Sequence, residues 1–383
     1  MKITNRLSMI CASVTLALFV FVSSVFADAP VPKTPAQDAT LDLRPVQTLE
    51  YKFPADRNWD DEYNPVELKE NNRDENSHPT PVDFEWTAVE DPEAIYMLEL
   101  STDPNFSDDS VIQVGTGKAT ACQATNLSPG DTWYWRVRAS VKDSSGAKKT
   151  TYSEVASFRT AATLPRWFDL PSISNVRDAG GWNAANGKKM RMGMVFRGSA
   201  LDSNMKLSEE SRVYMVEKLG IRLDLDLRGS KEWGDTENYW SPLGKSVNWM
   251  NFPVDAYSGI LNDKTKAMYR DIFAALAKPE SYPVYIHCAA GADRAGTLNL
   301  AIKSVLGVSD SDLFADYEFT SFSVFGERRI GSDTFKKFRE DFKRYGENEP
   351  FSVQFVNYLK ECGVTDEELD AVRNILLEDA ARP

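Results

Sequence analysis

The sequence predicts a multidomain chain, an all-β sandwich followed by an α/β domain with a central, largely parallel sheet flanked by helices. Three observations carry that expectation. At 383 residues the chain exceeds one ordinary domain. From Val82 its apolar residues alternate with period two in short runs, and beyond Pro171 strand-like runs alternate with runs of helical period. A composition 42% hydrophobic and 26% charged is that of a folded protein.

The first residues stand apart from that fold. Lys2 and Arg6 precede the apolar run SVTLALFVFVSSVF, which is short for a bilayer span, and Val25-Phe26-Ala27 places small residues where a signal peptidase cuts. Residues 1–27 are therefore expected to be a Sec signal, and the protein to be exported, periplasmic or secreted. No later run is long and apolar enough to span a membrane. The formal charge of −13 becomes −15 without the signal, since Lys+Arg falls from 44 to 42 against 57 acids. So acidic a surface argues against nucleic acid or anionic lipid as a broad-surface partner. An anionic substrate needs a local positive site. Three cysteines remain, Cys122, Cys288 and Cys362, an odd and sparse set that is no disulfide scaffold.

Residues 28–43 are rich in Pro and Ala without periodicity and read as a spacer. Trp59 to Pro81 is polar and strand-poor and reads as a long loop. Then come VDFEWTA, AIYMLELST, SVIQVGT, WYWRVRAS and SEVASFRT, separated by Pro, Gly, Asp and Ser, the punctuation of a sandwich. The stretch LSPGDTWYWRVRA, from Leu127 to Ala139, resembles the fibronectin type III pattern of a Leu, a Pro-Gly turn and an aromatic corner before an Arg-Val strand. The corner falls on Trp133, and Trp86 suits the buried tryptophan of an early strand. The resemblance implies a fibronectin type III-like domain over 44–161 with an N-terminal extension, whose partner would be a surface, glycan or protein ligand.

Residues 161–171 form a linker, and the α/β domain spans 162–383. IRLDLDLR and SVNWMNFPV read as strands, and YPVYIHC as a strand buried on both faces. Leu298, Ala301, Ile302, Val305 and Leu306 fall at helical spacing, with Gly307 as the stop. SVQFVNYLKECG and TDEELDAVRNILLE read as two further helices, the second opened by a Thr365/Glu368 capping box.

The chemistry concentrates in VYIHCAAGADRAGT. A strand ends at Cys288, the five residues Ala289, Ala290, Gly291, Ala292 and Asp293 follow, and Arg294 opens a helix. In that layout the backbone N–H groups of the turn can surround a phosphate, and the helix N-terminus adds positive potential. The same dipoles and the guanidinium favour a thiolate nucleophile. Arg294 can clamp two phosphoryl oxygens. Gly291 permits a turn that a Cβ would block.

The His-Cys-x5-Arg spacing resembles the active-site loop of the cysteine-dependent protein tyrosine phosphatase superfamily, and NVRDAGG (175–181), MVFRGSALD, LDLDLRGSKEWG and LGVSDSDLFADYEFTS resemble its bacterial secreted or effector branch. The resemblance implies an exported phosphomonoesterase working through a phosphocysteine, without metal or cofactor, with dual specificity within the superfamily's range. Phosphotyrosine on a protein is the first substrate expected, a small phosphoester such as an inositol phosphate or phosphoinositide the second. Cys288 attacks, residues 289–294 bind the phosphate, and Arg294 stabilises the transition state. The leaving-group acid is Asp293, with Asp255 in FPVDAYSG as the competitor.

Two positions depart from the family pattern. Its usual Lys is Ala292, which takes a positive group off the loop rim, and its usual Thr or Ser is Ala295, which removes a hydroxyl that assists the departing thiolate. Slow turnover is expected, and a phosphate-binding or surface-targeting protein is the alternative. His287 is expected to be structural, since neighbours on a strand face opposite ways. Arg177 and Asp178 are expected either to pair with each other or to orient the loop. Arg197 and Arg228 are expected as exposed strand residues, or else as a positive rim. With two histidines in the chain and no cysteine cluster, a zinc site is not expected.

Overall fold

The computed structural model describes residues 29–56, 65, 74–107, 111–142, 145–203, 205–232 and 239–379. The export signal expected over 1–27 lies outside them. Two compact units divide the chain: residues 1–41, 81–124 and 130–161 make the first, and 42–80, 125–129 and 162–383 the second.

The first unit is all β. Its smaller sheet has the order β1 (Pro32–Thr34), β3 (Val82–Trp86), β6 (Ala121–Ala124). The larger runs β2 (Ala39–Leu41), β9 (Ala156–Thr160), β7 (Thr132–Lys142), β4 (Ile95–Ser101), β5 (Ile112–Gly117), with β8 (Lys148–Tyr152) also on β7. Alternation does what the sequence predicts: along β7, Trp133, Trp135, Val137 and Ala139 are buried and their neighbours are not. Phe84 of the small sheet meets Trp135 and Phe158 of the large one edge-on, at 5.2 and 5.9 Å between ring centroids. The core lies between the sheets.

Two boundaries differ from the sequence reading. Residues 28–43 are not a spacer, because β1 and β2 lie within them and pair with β3 and β9. A three-residue strand shows no period, and Pro32 is tolerated because β1 is an edge strand. Residues 44–80 belong with the second unit rather than with a domain over 44–161. Tyr51 and Phe53 pack on that unit's core, and the Tyr51 hydroxyl donates to Glu318 over 2.8 Å.

The second unit is α/β. Its sheet has the order β10 (Arg177–Asp178), β12 (Val195–Gly198), β15 (Val284–His287), β13 (Leu223–Asp226), β14 (Asn248–Asn251). The last four are parallel and β10 is an antiparallel edge. A small ladder joins β11 (Lys188–Met190) to β16 (Leu377–Asp379). The helices are α1 (Glu209–Val213), α2 (Asp263–Leu276), α3 (Arg294–Val305), α4 (Asp310–Glu318), α5 (Asp333–Phe342), α6 (Phe351–Glu361) and α7 (Asp366–Leu376). The expected Thr365/Glu368 capping box opens α7, and Gly307 follows α3 with φ +72°.

β15 is central and wholly buried. Val284 and Ile286 join the core under α2, α3 and α6, while Tyr285 joins a second core with Phe196, Met215 and Leu243. Placing the wholly buried β15 in the middle sets its C-terminal end, where Cys288 begins, in the crevice where open α/β sheets bind ligands.

Candidate active site

The loop after β15 is held from behind. Each carbonyl from 289 to 293 has a partner turned away from the turn's interior. Ala289 O accepts from Ala200 N at 3.0 Å, and Ala290 O from Asn175 Nδ2 at 3.0 Å. Gly291 O accepts from Arg197 Nη2 at 2.7 Å, and Ala292 O from Gly296 N at 3.0 Å. Asp293 O accepts from both the amide and the hydroxyl of Thr297 at 2.8 Å. Among the described residues, no amide N–H from 289 to 294 donates to a protein acceptor. With its carbonyls tied back, the turn is left with its donors for an anion. Gly291 has φ +66°, and a Cβ there would lie 2.2 Å from Gly198 O. Only glycine fits.

Cys288 is buried at the base of this turn, 2% exposed. Arg294, at the first position of α3, lies against its thiol. The guanidinium is oriented by Glu232, with Nη1 to Oε2 at 2.6 Å and Nη2 to Oε1 at 2.8 Å. Those hydrogen bonds raise the Arg294 pKa above its ordinary value against the pull of burial. Thr297 on the same helix commits its hydroxyl to the Asp293 carbonyl. Ala295 is fully buried and offers no hydroxyl. The other two thiols, Cys122 and Cys362, are half-buried, and burial pushes each up to about 11.

A second layer of charge backs the turn. Asp316 of α4 is fully buried between Arg177 and Arg197, 3.0 Å from each, and 3.4 Å from the buried amine of Lys303. Burial alone would push Asp316 up, but Lys303 and the two arginines hold it far below the usual carboxylate range. Arg177 also donates to the side-chain oxygen of Asn175, whose amide reaches Ala290 O. Arg177 thus acts on the loop through Asn175, and its acid is Asp316 rather than Asp178. Asp178 instead accepts from the amides of Gly180 and Gly193 at 2.8 and 2.6 Å.

Two further expectations are corrected. Arg197 and Arg228 are buried, not exposed strand residues or a positive rim. Each has a partner that makes burial tolerable: Asp316 for Arg197, and Asp226 and Asp202 for Arg228, at 2.8 and 2.7 Å. Ala292 is fully buried as well, so its position is not on the rim. His287 is the last residue of β15, buried, with Nε2 2.9 Å from Asp224 Oδ1 on the neighbouring β13. Burial disfavours its charged form, but Asp224 and Asp226 outweigh that and raise its pKa.

The two candidate acids differ sharply. Asp255 is exposed, with Oδ2 accepting from Asn262 Nδ2 at 2.8 Å. Asp293 is gripped by Arg328, Nε to Oδ1 at 2.8 Å and Nη2 to Oδ2 at 3.0 Å, and the Tyr257 hydroxyl donates to it as well. Burial pushes Asp293 up; Arg328, Tyr257 and Arg294 overcome it and leave the carboxyl below its ordinary value. Sequence reasoning missed Asn175, Glu232, Asp316, Tyr257 and Arg328, and named Arg197 but placed it at the surface. Asn175 and Glu232 lie inside the quoted stretches NVRDAGG and LDLDLRGSKEWG, whereas Arg328 follows no recognisable pattern.

An amide-lined turn shaped for one tetrahedral anion over a cysteine, at the end of the central strand of an α/β sheet, defines the class of protein tyrosine phosphatase-like phosphoric monoester hydrolases. Residues 168–378 match the Tyrosine phosphatase family, and the chain belongs to that family. It is 27% identical over 183 residues to a Cupriavidus necator protein named "Putative tyrosine-protein phosphatase", a match taking in 41% of this chain and 64% of that relative. The chain therefore spans somewhat under two thirds of that relative's length. Among solved structures, the core catalytic domain of the PP-IP phosphatase SIW14 from S. cerevisiae, in complex with citrate, is 17% identical with a TM-score of 0.27, over 40% of this chain and 91% of that one.

Proposed function

We propose that the protein is an exported phosphatase of the bacterial secreted or effector branch, hydrolysing phosphomonoesters through a phosphocysteine, with phosphotyrosine as the first substrate. The observation that carries this is the turn 289–294, whose carbonyls are tied back and whose amides are left for a dianion above Cys288. In this reading the Cys288 thiolate attacks phosphorus, the S–P bond forms as the P–O bond breaks, and Arg294 and the amides take up the charge on the equatorial oxygens. Asp293 protonates the leaving oxygen and then, as carboxylate, takes a proton from the water that cleaves the S–P bond. Arg294 arrives already oriented by Glu232. The β-rich unit is read as a fibronectin type III-like module that targets the enzyme.

One observation favours a slower or binding-only variant of this reading. Ala295 supplies no hydroxyl and the Thr297 hydroxyl is committed to the Asp293 carbonyl, so neither offers a hydroxyl to the departing thiolate.

The test is hydrolysis of p-nitrophenyl phosphate and of a phosphotyrosine peptide, with reductant and EDTA, by wild type and Cys288→Ser. Turnover that survives EDTA and vanishes in the variant supports the phosphocysteine route. A burst without turnover supports the binding variant. Equal rates in both proteins would refute the reading.

A further inference from the structure

The grip on Asp293 conflicts with its proposed role, and this inference rests on that reading. A general acid must carry a proton when the leaving oxygen departs. Yet both carboxylate oxygens of Asp293 face the Arg328 guanidinium, at 2.8 and 3.0 Å. The Tyr257 hydroxyl adds another donor, itself 2.8 Å from the Tyr317 hydroxyl. The charged and titratable groups facing Asp293 are thus Arg328, Tyr257, Arg294 and Tyr317, and both cations favour its anion. In this state the acid is disarmed. Something in the substrate complex has to loosen Arg328.

The fold provides a place for that to happen. Beside the pair lies a cavity of about 300 Å³ lined by Tyr257, Asp293, Tyr317, Arg328, Arg329 and Ser332, among others. Arg329 is engaged by Glu327, so the guanidinium bound directly to the acid is that of Arg328. Its position also sets a distance. An acid in contact with the leaving oxygen is one hydrogen bond from it, and Arg328 is one hydrogen bond further on. A substrate anion on the carbon next to the one bearing the phosphate lies within that reach of Arg328.

We propose that Arg328 is a positioning and specificity-determining residue, which locks Asp293 until a phosphomonoester with a second anionic group on the adjacent carbon enters the cavity and takes over the guanidinium. Released from Arg328 and facing the phosphate dianion in the turn, Asp293 takes a proton from solvent. It passes that proton to the leaving oxygen as the S–P bond forms and the P–O bond breaks. A substrate whose adjacent carbon bears only neutral groups leaves the lock closed and turns over slowly, least so an aryl ester such as phosphotyrosine, whose phenol ionises at about 10 and so needs the acid least.

The experiment compares glycerol 2-phosphate with 2-phosphoglycerate, alkyl phosphates that differ by a neutral hydroxymethyl against a carboxylate. Wild type is expected to prefer 2-phosphoglycerate in kcat/KM by at least about tenfold, the scale of one hydrogen bond to a charged group. Arg328→Gln is expected to raise KM for 2-phosphoglycerate and to raise kcat for glycerol 2-phosphate, whose rate then persists to higher pH. Arg328→Lys should restore part of the preference. A merely structural arginine would instead lower both substrates together with their ratio unchanged. That result, or a wild type with no preference, overturns the proposal. Wild type inactive on both compounds but active on p-nitrophenyl phosphate also overturns it, while leaving the phosphatase reading standing. Inactivity on all three removes both.

Discussion

The two units fill their interiors with different chemistry. In the β-rich unit the buried residues are Phe84, Trp86, Trp135, Val137 and their like, and among the described residues Glu99 is its one buried charge. Glu99 is answered by Arg136 at 2.8 Å, and that arginine reaches solvent. The second unit buries Arg177, Arg197, Arg228, Lys303, Asp178, Asp224, Asp226, Asp316, Glu318 and His287. Burying charge costs free energy that hydrophobic packing would not. A core can be built with a single buried charge, as in the β-rich unit, so ions massed behind one turn point to what that turn must hold. Three cations surround Asp316, and two of them act on the carbonyls of 290 and 291, directly or through Asn175.

That contrast can be broken most forcefully at its centre. Asp316→Ala leaves three buried cations without their carboxylate, and is expected to cost the second unit about 3–5 kcal/mol, with loss of activity. Glu99→Gln leaves arginines that water can reach, and is expected to cost the first unit about 1 kcal/mol or less. Urea unfolding followed by tryptophan fluorescence, with phosphatase activity read alongside, checks both. Similar costs at the two sites would mean that the buried charges of the second unit are ordinary packing.

The same contrast explains what the sequence made legible. Period-two alternation exposed β3, β4 and β7, and the apolar run into Cys288 exposed β15, because the signal lies within a few consecutive residues. The Cys288–Arg294 spacing is legible for the same reason. β1 and β2 escaped because three residues carry no period and their partners lie at Trp86 and Phe158. The charge layer escaped because Asp316 meets Arg177 and Arg197 across 139 and 119 residues. An arginine on a strand reads as exposed until its acid is known. Of the second unit's helices α3, α6 and α7 were clear, whereas α1, α2, α4 and α5 were not read, nor which polar residues turn inward.

A milder intervention sharpens the contrast between holding phosphate and releasing it. Ala295→Ser adds one hydroxyl at the first turn of α3, where the chain otherwise offers none to the thiolate. It is expected to raise steady-state kcat on p-nitrophenyl phosphate by about tenfold, toward the value of one transition-state hydrogen bond. Any pre-steady-state burst should shrink, since breakdown of the phosphocysteine would no longer lag its formation. Unchanged kcat with an unchanged burst would place the slow step elsewhere.

The smallest expected effect concerns His287, buried at the end of β15 and outside the charge layer around Asp316. Burial lowers its pKa, Asp224 and Asp226 raise it, and the carboxylates prevail. A histidine raised on folding contributes stability in full below its unfolded value near 6.5, and loses it as pH climbs through the folded value. The urea midpoint of the second unit should therefore fall as pH rises from about 6.5 toward 8. Above that range the trend is opposed, because burial lowers Lys303 to about 8 and a lysine lowered on folding gains stability as pH rises. His287→Gln keeps a hydrogen-bonding side chain but cannot titrate, so its midpoint should stay level between pH 6 and 8. If wild type and variant fall in parallel, the His287–Asp224 pair carries no charge that folding depends on, and the ions that matter are confined to the layer around Asp316.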